Sequence, residues 1–239
     1  MIRRRGTIKN ENAVRTGWLR EARRRITTRF WLKTFGIPGF ITLFLGAYFL
    51  LLYFPLFPVT VMPETALDRW IGFHPWAIVL YFSLWAYVSV PPALCDGLHS
   101  LLRYMYGAIG LGLAGMLVFL FWPTATPEFG IDWTRYPSFD FLKSVDLARN
   151  AFPSLHAAFA VFSGLWIGRQ LREIQAPWML GGVNVLWCLA ILYATIATRQ
   201  HVTLDTCAGI LLGAVAFILH RQLPARRRPG LGRTQGARG

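Results

Sequence analysis

The sequence predicts an all-α protein, a bundle of six transmembrane helices with both termini cytoplasmic. Composition is the first reason: 54% of the residues are hydrophobic and only 15% charged, where a soluble domain carries about 25% charged residues. Pattern is the second. The apolar residues gather in blocks rather than on one helical stripe or in alternation, and each block approaches the roughly 20 residues that cross a bilayer. The third is the placement of charge, which sets an orientation.

The blocks run about Phe35 to Phe57, Pro75 to Leu94, Tyr104 to Trp122, Phe152 to Gly168, Trp178 to Ala197 and Val202 to Leu219. The fourth and sixth are the shortest and most polar, and their starts hold histidines. A basic stretch of more than thirty residues precedes the first block, unlike a secretory leader, so the first block reads as a permanent span. Eleven of the 25 Lys and Arg precede it, from Arg3 to Lys33, and six follow the last block, from Arg221 to Arg238. The positive-inside rule then puts both ends in the cytoplasm, which requires an even number of spans. Seven of the eleven acids fall in or beside the predicted outer loops.

The expected organisation is a basic cytoplasmic segment over residues 1–34, a six-helix membrane catalytic domain over 35–222, and a basic disordered tail over 223–239. Within the first segment, Val14 to Lys33 has the makings of a basic amphipathic helix, with Trp18, Leu19, Ala22, Ile26 and Phe30 on one side, able to lie on an anionic leaflet; the plainer reading is a topology anchor. The net charge of +14 raises nucleic acid as a partner. The basic tails lack interleaved aromatic platforms, and this excludes nucleic acid from the expectation. Cys95, Cys188 and Cys207 show no paired spacing and suggest neither a disulfide framework nor a metal site.

Ionisable groups within or beside a span are costly and mark candidate sites. One cluster is Asn150-Ala151-Phe152-Pro153-Ser154-Leu155-His156, opening the fourth span. Pro and Ser start helices well, and the free N–H groups of a helix start suit a phosphate. The other is Thr198-Arg199-Gln200-His201-Val202-Thr203-Leu204-Asp205, opening the sixth. If helical, His201 and Asp205 share a face, so the carboxylate could hold one ring nitrogen and leave the other to attack. His156 could protonate a departing oxygen. The Arg199 guanidinium fits a phosphoryl group. With six spans and an inside N-terminus, both clusters fall on the outer side.

Plainer readings compete at each position. Ser154 could be a helix cap, and Arg199 could snorkel to the interface. His74, His99 and His220 lack a patterned motif and are not assigned catalytic duty. A zinc site could draw on His156, His201 and Asp205, but Arg199 would press its charge on the cation. The same arginine suits an anion, so no metal and no cofactor is expected.

These residues resemble the type 2 phosphatidic-acid phosphatase superfamily, whose second motif reads Pro-Ser-x-His and whose third ends in Arg, then His, three residues and Asp. Leu155, and the compact Arg199-Gln200-His201 arrangement, resemble the branch that contains inositol phosphorylceramide synthases and related bacterial proteins. The resemblance implies a six-helix membrane fold with an extracytoplasmic site, with His201 as the nucleophile that forms a phosphohistidine and Asp205 as its orienting partner. It makes His156 the general acid, and Arg199 and Ser154 phosphate ligands. The family's first motif, Lys, six residues and Arg-Pro, has no good copy. Arg221 and Arg228-Pro229 mimic its spacing from the cytoplasmic tail, on the wrong side of the membrane, whereas Arg135 and Lys143 in the outer loop stand in as candidate phosphate ligands. Asp146 and Asn150 also fit the branch, or serve loop architecture. A vanadate cofactor, as in related haloperoxidases, is the less favoured option at a membrane-embedded site.

The expected function is a lipid phosphatase of the membrane, for which a bacterial inner membrane is the expected location. A lipid phosphate would be the substrate and membrane lipids the surroundings. One alternative is a phosphotransferase that moves a phosphoryl or headgroup phosphate to an alcohol such as a sphingolipid or polyol. Another is a non-catalytic transporter or scaffold.

Overall fold

The computed structural model describes residues 17–139, 142 and 149–222. Lys143 and Asp146, and the tail over 223–239, lie outside the described residues. Helix α1 covers residues 17–27, and α2 Phe30–Tyr53, α3 Ala66–Ile71, α4 Ala77–Phe82, α5 Leu84–Ala93 and α6 Leu98–Phe121 follow. The last three are α7 Leu155–Glu173, α8 Trp178–Ala197 and α9 Thr203–Gln222. All six apolar blocks are helical. By length and composition four of the helices, α2, α6, α8 and α9, could cross a membrane. The second block is interrupted at Ser83, between α4 and α5, and α7 is more polar than the others.

The outward surfaces are apolar. Leu43, Leu50, Leu186 and Leu211 are all more than 60% exposed, on helices whose apolar residues run all round, the signature of segments solvated by lipid.

In such a medium backbone groups must be satisfied within the protein. Pro92 brings no N–H to α5, and the Val88 carbonyl four residues earlier accepts from the Tyr104 hydroxyl of α6 at 3.3 Å instead. The Pro91 carbonyl accepts from Gln170 of α7 at 2.8 Å. Asn184 of α8 accepts from the Tyr87 hydroxyl of α5 at 2.7 Å and donates to the Gly164 carbonyl of α7 at 3.0 Å, joining three helices.

The expected basic helix across Val14 to Lys33 is broken. Arg29 takes a left-handed φ of 58° between α1 and α2. Arg25 is buried and pairs with Glu21 at 3.0 Å and with Glu173, at the end of α7, at 3.2 Å. Lys33 is buried too, its ammonium donating to the carbonyls of Arg25, Ala93 and Cys95 at 2.6, 2.9 and 2.8 Å. Three carbonyls use all three donors, so this lysine fastens α1, α2 and the end of α5 together.

The tightest helix contact brings α7 against α9. Gly209 and Gly213, spaced by four on α9, lie directly against the backbone of Ser154 and Ala158 on α7, where a Cβ would collide with their carbonyl oxygens. Small residues at this spacing let two backbones approach closely inside a membrane. On the other side of α7, the Leu155 side chain fills the notch over Gly115 of α6. Gly209→Ala is therefore expected to lower thermal stability in detergent by an amount typical of core overpacking, about 1–3 kcal/mol, and to reduce activity with it. Gly110→Ala, where the added methyl meets open space, is the control expected to leave the melting temperature unchanged or higher.

Candidate functional site

Both sequence clusters lie at one end of the bundle, because α7 and α9 run side by side in the same direction. The Ser154 N–H donates to the Asp205 carbonyl at 3.0 Å, so the two helix starts are bonded to each other. Three extended segments stitch the surrounding loops. Thr60–Val61 pairs in parallel with Thr124–Ala125, Ala125 bridges to Arg149, and the Thr124 carbonyl and hydroxyl accept from the N–H groups of Ala151 and Phe152 at 3.3 and 2.7 Å. Met62, Ala151 and Val202 form an apolar plug at this end, with Phe129 and Phe152 against it.

His201 precedes α9 rather than lying within it. Its N–H donates to the Thr195 carbonyl at 3.0 Å. Its ring nitrogen Nδ1 lies 3.1 Å from the Ala151 carbonyl and 3.8 Å from Asp205 Oδ2. Asp205 is expected to hold one ring nitrogen; the ring's hydrogen bond goes to Ala151 instead, with the carboxylate beyond hydrogen-bond distance of the same nitrogen. Asp205 Oδ2 accepts from the Val202 N–H at 3.0 Å, since helix position N3 suits a carboxylate to cap the start. A carbonyl only accepts, so Nδ1 carries the proton in the neutral ring and Nε2 keeps its lone pair.

His156 stands one residue into α7. Its ring stacks on Tyr81 of α4 at 4.4 Å between centroids, with Nδ1 3.3 Å from the Tyr81 hydroxyl. The His156 and His201 rings lie 5.6 Å apart. Ser154, expected as a phosphate ligand, is fully buried and its hydroxyl accepts from the Ala157 N–H at 3.2 Å as the cap of α7.

Arg199 adopts a left-handed φ of 56° and is buried. Its Nη1 donates to Glu64 at 2.9 Å, and its guanidinium carbon lies 4.5 Å from the centre of the Phe129 ring, a cation–π geometry. Asn150, also left-handed at φ 54°, is buried, and its side-chain Nδ2 has no hydrogen-bond partner among the described residues. Arg135 does not join these contacts. Its side chain is 78% exposed and pairs with Asp132 at 3.1 Å. Trp133 and Tyr136, nearby in the sequence, pack with Phe139 around Phe73. Among the described residues no three His, Cys, Asp or Glu side chains gather as a metal ion would require.

Several residues of the site carry no sequence motif. Tyr81 sits in an apolar helix, and Glu64 and Asp68 lie between the first and second blocks, more than 130 residues from the groups they touch. Outer-loop acids were the one available signal.

Asp68 is fully buried. Its Oδ2 accepts from the N–H and hydroxyl of Thr65, each at 2.7 Å, and its Oδ1 from the N–H and hydroxyl of Thr203 at 2.7 and 2.6 Å. Burial pushes this carboxyl up, but the hydrogen bonds from Thr203 and Thr65 together outweigh it and hold the group below its ordinary value of 3.8.

An apolar cleft leads to His156 between α2, α5, α6 and α7. Tyr48 and Phe44 line it on α2 and Trp85 on α5, with Ile37, Pro92 and Met105 at the end remote from His156. From Tyr48 to Ile37 the helix rises roughly 16 Å, about half the hydrocarbon thickness of a bilayer. Helix α2 buries little of itself in the bundle.

Four apolar helices long enough to cross a membrane mark an integral membrane protein, with two histidines and an arginine at two of its helix starts. Residues 96–229, more than half of the chain, match the model of the PAP2 superfamily, and the chain belongs to that superfamily, whose members are phosphatases or related phosphotransferases. No curated protein and no solved structure matches it.

The lowered Asp68 carboxyl has a consequence for pH. A group whose folded value is depressed contributes stability in full above its unfolded value and loses it as pH falls through the folded one. The difference in melting temperature between wild type and Asp68→Asn is therefore expected to be constant from neutral pH down to about pH 4 and to narrow below it, as read by thermal denaturation in detergent.

Proposed function

We propose that this protein is a lipid phosphatase that hydrolyses a lipid phosphate through a phosphohistidine. The observation that carries this reading is the pair of histidine rings 5.6 Å apart at the head of an apolar cleft, one ring with a free nitrogen and Arg199 two residues away. The cleft suits a hydrocarbon tail approaching sideways from the membrane, with the phosphate end at the histidines.

In this mechanism Arg199 and the N–H groups at the start of α7 hold the phosphoryl oxygens. The His201 Nε2 lone pair attacks phosphorus, the bond from phosphorus to the ester oxygen breaks, and His156 in its protonated form gives its proton to the departing alkoxide. Water then attacks the phosphohistidine, His156 takes up the water proton, and the N–P bond breaks to release phosphate. The Ala151 carbonyl keeps the proton on Nδ1, and the Asp205 carboxylate, at ion-pair distance, stabilises the charge that develops on the ring. No metal enters these steps.

The α4–α5 pair and α7 complete six spans with α2, α6, α8 and α9, and the site faces the extracytoplasmic side. Supporting this, Arg25 and Lys33 cluster at the end of the bundle remote from the histidines, where the positive-inside rule puts the cytoplasm. A bacterial inner membrane is the location that goes with this reading.

Detergent-purified protein offered phosphatidic acid and polyprenyl phosphates is expected to release phosphate in the presence of EDTA. His201→Ala is expected to abolish release and His156→Ala to lower it by about 10²-fold or more. Release abolished by EDTA would remove the metal-independent mechanism. A new phospholipid formed on adding an alcohol acceptor, without free phosphate, would establish transfer in place of hydrolysis.

Glu64 competes with a phosphoryl group for Arg199. Glu64→Gln removes that competing charge, so inorganic phosphate is expected to inhibit the variant at a concentration about three- to tenfold lower, up to about 1.4 kcal/mol of binding. Unchanged inhibition would remove Arg199 from the phosphate site.

A further inference from the structure

Asp68 lies before the residues that match the family, which begin at 96, and its contacts bear on the reaction. His201 sits on the turn between α8 and α9, and the residue just before α9, Val202, is apolar and has no side chain to cap the helix start. The N–H groups there are orphan donors. Asp205 takes the first, at Val202, and Asp68 takes the second, at Thr203, together with the Thr203 hydroxyl. A fully buried carboxylate is costly unless every acceptor site is used; here four donors meet it, and among the described residues it makes no ion pair.

A second contact shares the same segment. Glu64, four residues before Asp68, holds Arg199, four residues before Thr203. The two contacts bracket His201 on either side, so the segment from Glu64 to Asp68 clasps the turn that carries the ring. Its own shape is fixed, since Asp68 and Thr65 form a reciprocal capping box on α3.

We propose that Asp68 is a positioning residue for the reaction, holding His201 at its attack geometry through Thr203. The inference rests on His201 being the nucleophile. Asp68 touches neither substrate nor the reacting atoms; it sets where α9 begins relative to α3, and so where Nε2 points. Misplacement of a reacting group by about 1 Å costs on the order of 10²-fold in rate, whereas substrate affinity, set by the cleft and by Arg199, stays.

The test measures kcat and KM for phosphate release by Asp68→Asn, Thr203→Val, Thr203→Ser and His201→Ala, each on protein shown folded by thermal denaturation. Asp68→Asn and Thr203→Val are expected to lower kcat by about 10- to 100-fold with KM within about twofold. Thr203→Ser keeps both donors and is expected to restore wild-type kcat. The double variant Asp68→Asn with Thr203→Val is expected to be little worse than the poorer single one, because both weaken the same link. Folded variants with wild-type kcat, or a loss confined to KM, would overturn the positioning role. Should Asp68→Asn fail to fold, Thr203→Val decides, since it leaves the Thr65 capping box and the Thr203 N–H bond intact. Retained activity in His201→Ala would instead sink the phosphohistidine reading, a result distinguishable from the failure of Asp68 alone.

Discussion

The backbone of α7 lies directly against that of α9 at Gly209 and Gly213, and the geometry of the site follows from that contact. Lipid offers helices no hydrophobic reward for associating, so packing and interhelical hydrogen bonds decide which pairs approach closely. Here the closest pair is the one whose starts carry the histidines. The approach lets the Ser154 N–H reach the Asp205 carbonyl, which aligns the two helix starts, and it brings the Ala151 carbonyl to the His201 ring. A bulkier residue at either glycine would separate the rings.

A second close contact involves Leu155. It is the variable residue of the Pro-Ser-x-His run, and in this structure it fills the space above Gly115 of α6. A large residue on α7 meets a small one on α6, while small residues of α9 meet the backbone of α7. Volume is thus exchanged among three helices around one site. The polar groups follow a similar economy. The Val88 carbonyl, which Pro92 leaves without an N–H, is met by Tyr104 and the Pro91 carbonyl by Gln170, which couples the broken α4–α5 pair to α6 and α7.

Around the histidines, acids act on the backbone more than on the rings. Asp205 and Asp68 both accept from N–H groups at the start of α9, where the helix dipole favours negative charge. Glu64 instead holds a side chain, Arg199, against Phe129. Two loops each carry a left-handed residue other than glycine, Asn150 before α7 and Arg199 before α9, and such backbone needs external anchoring to hold its shape.

Much of this was legible in the sequence. The six apolar blocks became helices because twenty apolar residues in lipid have few other ways to satisfy their backbone, and Trp178–Ala197 kept its predicted bounds. The clusters that hold His156, His201, Asp205 and Arg199 stood out because charged and polar groups beside apolar runs are costly, and the structure joins their two helix starts. Their placement at one end follows from helix direction alone. What the tertiary structure decided depends on contacts across long stretches of chain. Spacing suggested that Asp205 holds the His201 ring, but the helix begins two residues later than that requires, and the bond goes to Ala151. Ser154 and Arg135, plausible ligands by residue type, are used as a helix cap and an exposed ion pair. Glu64, Asp68 and Tyr81 reach the site only through folding, since a hydrogen bond spanning 135 residues leaves no periodicity or motif to read.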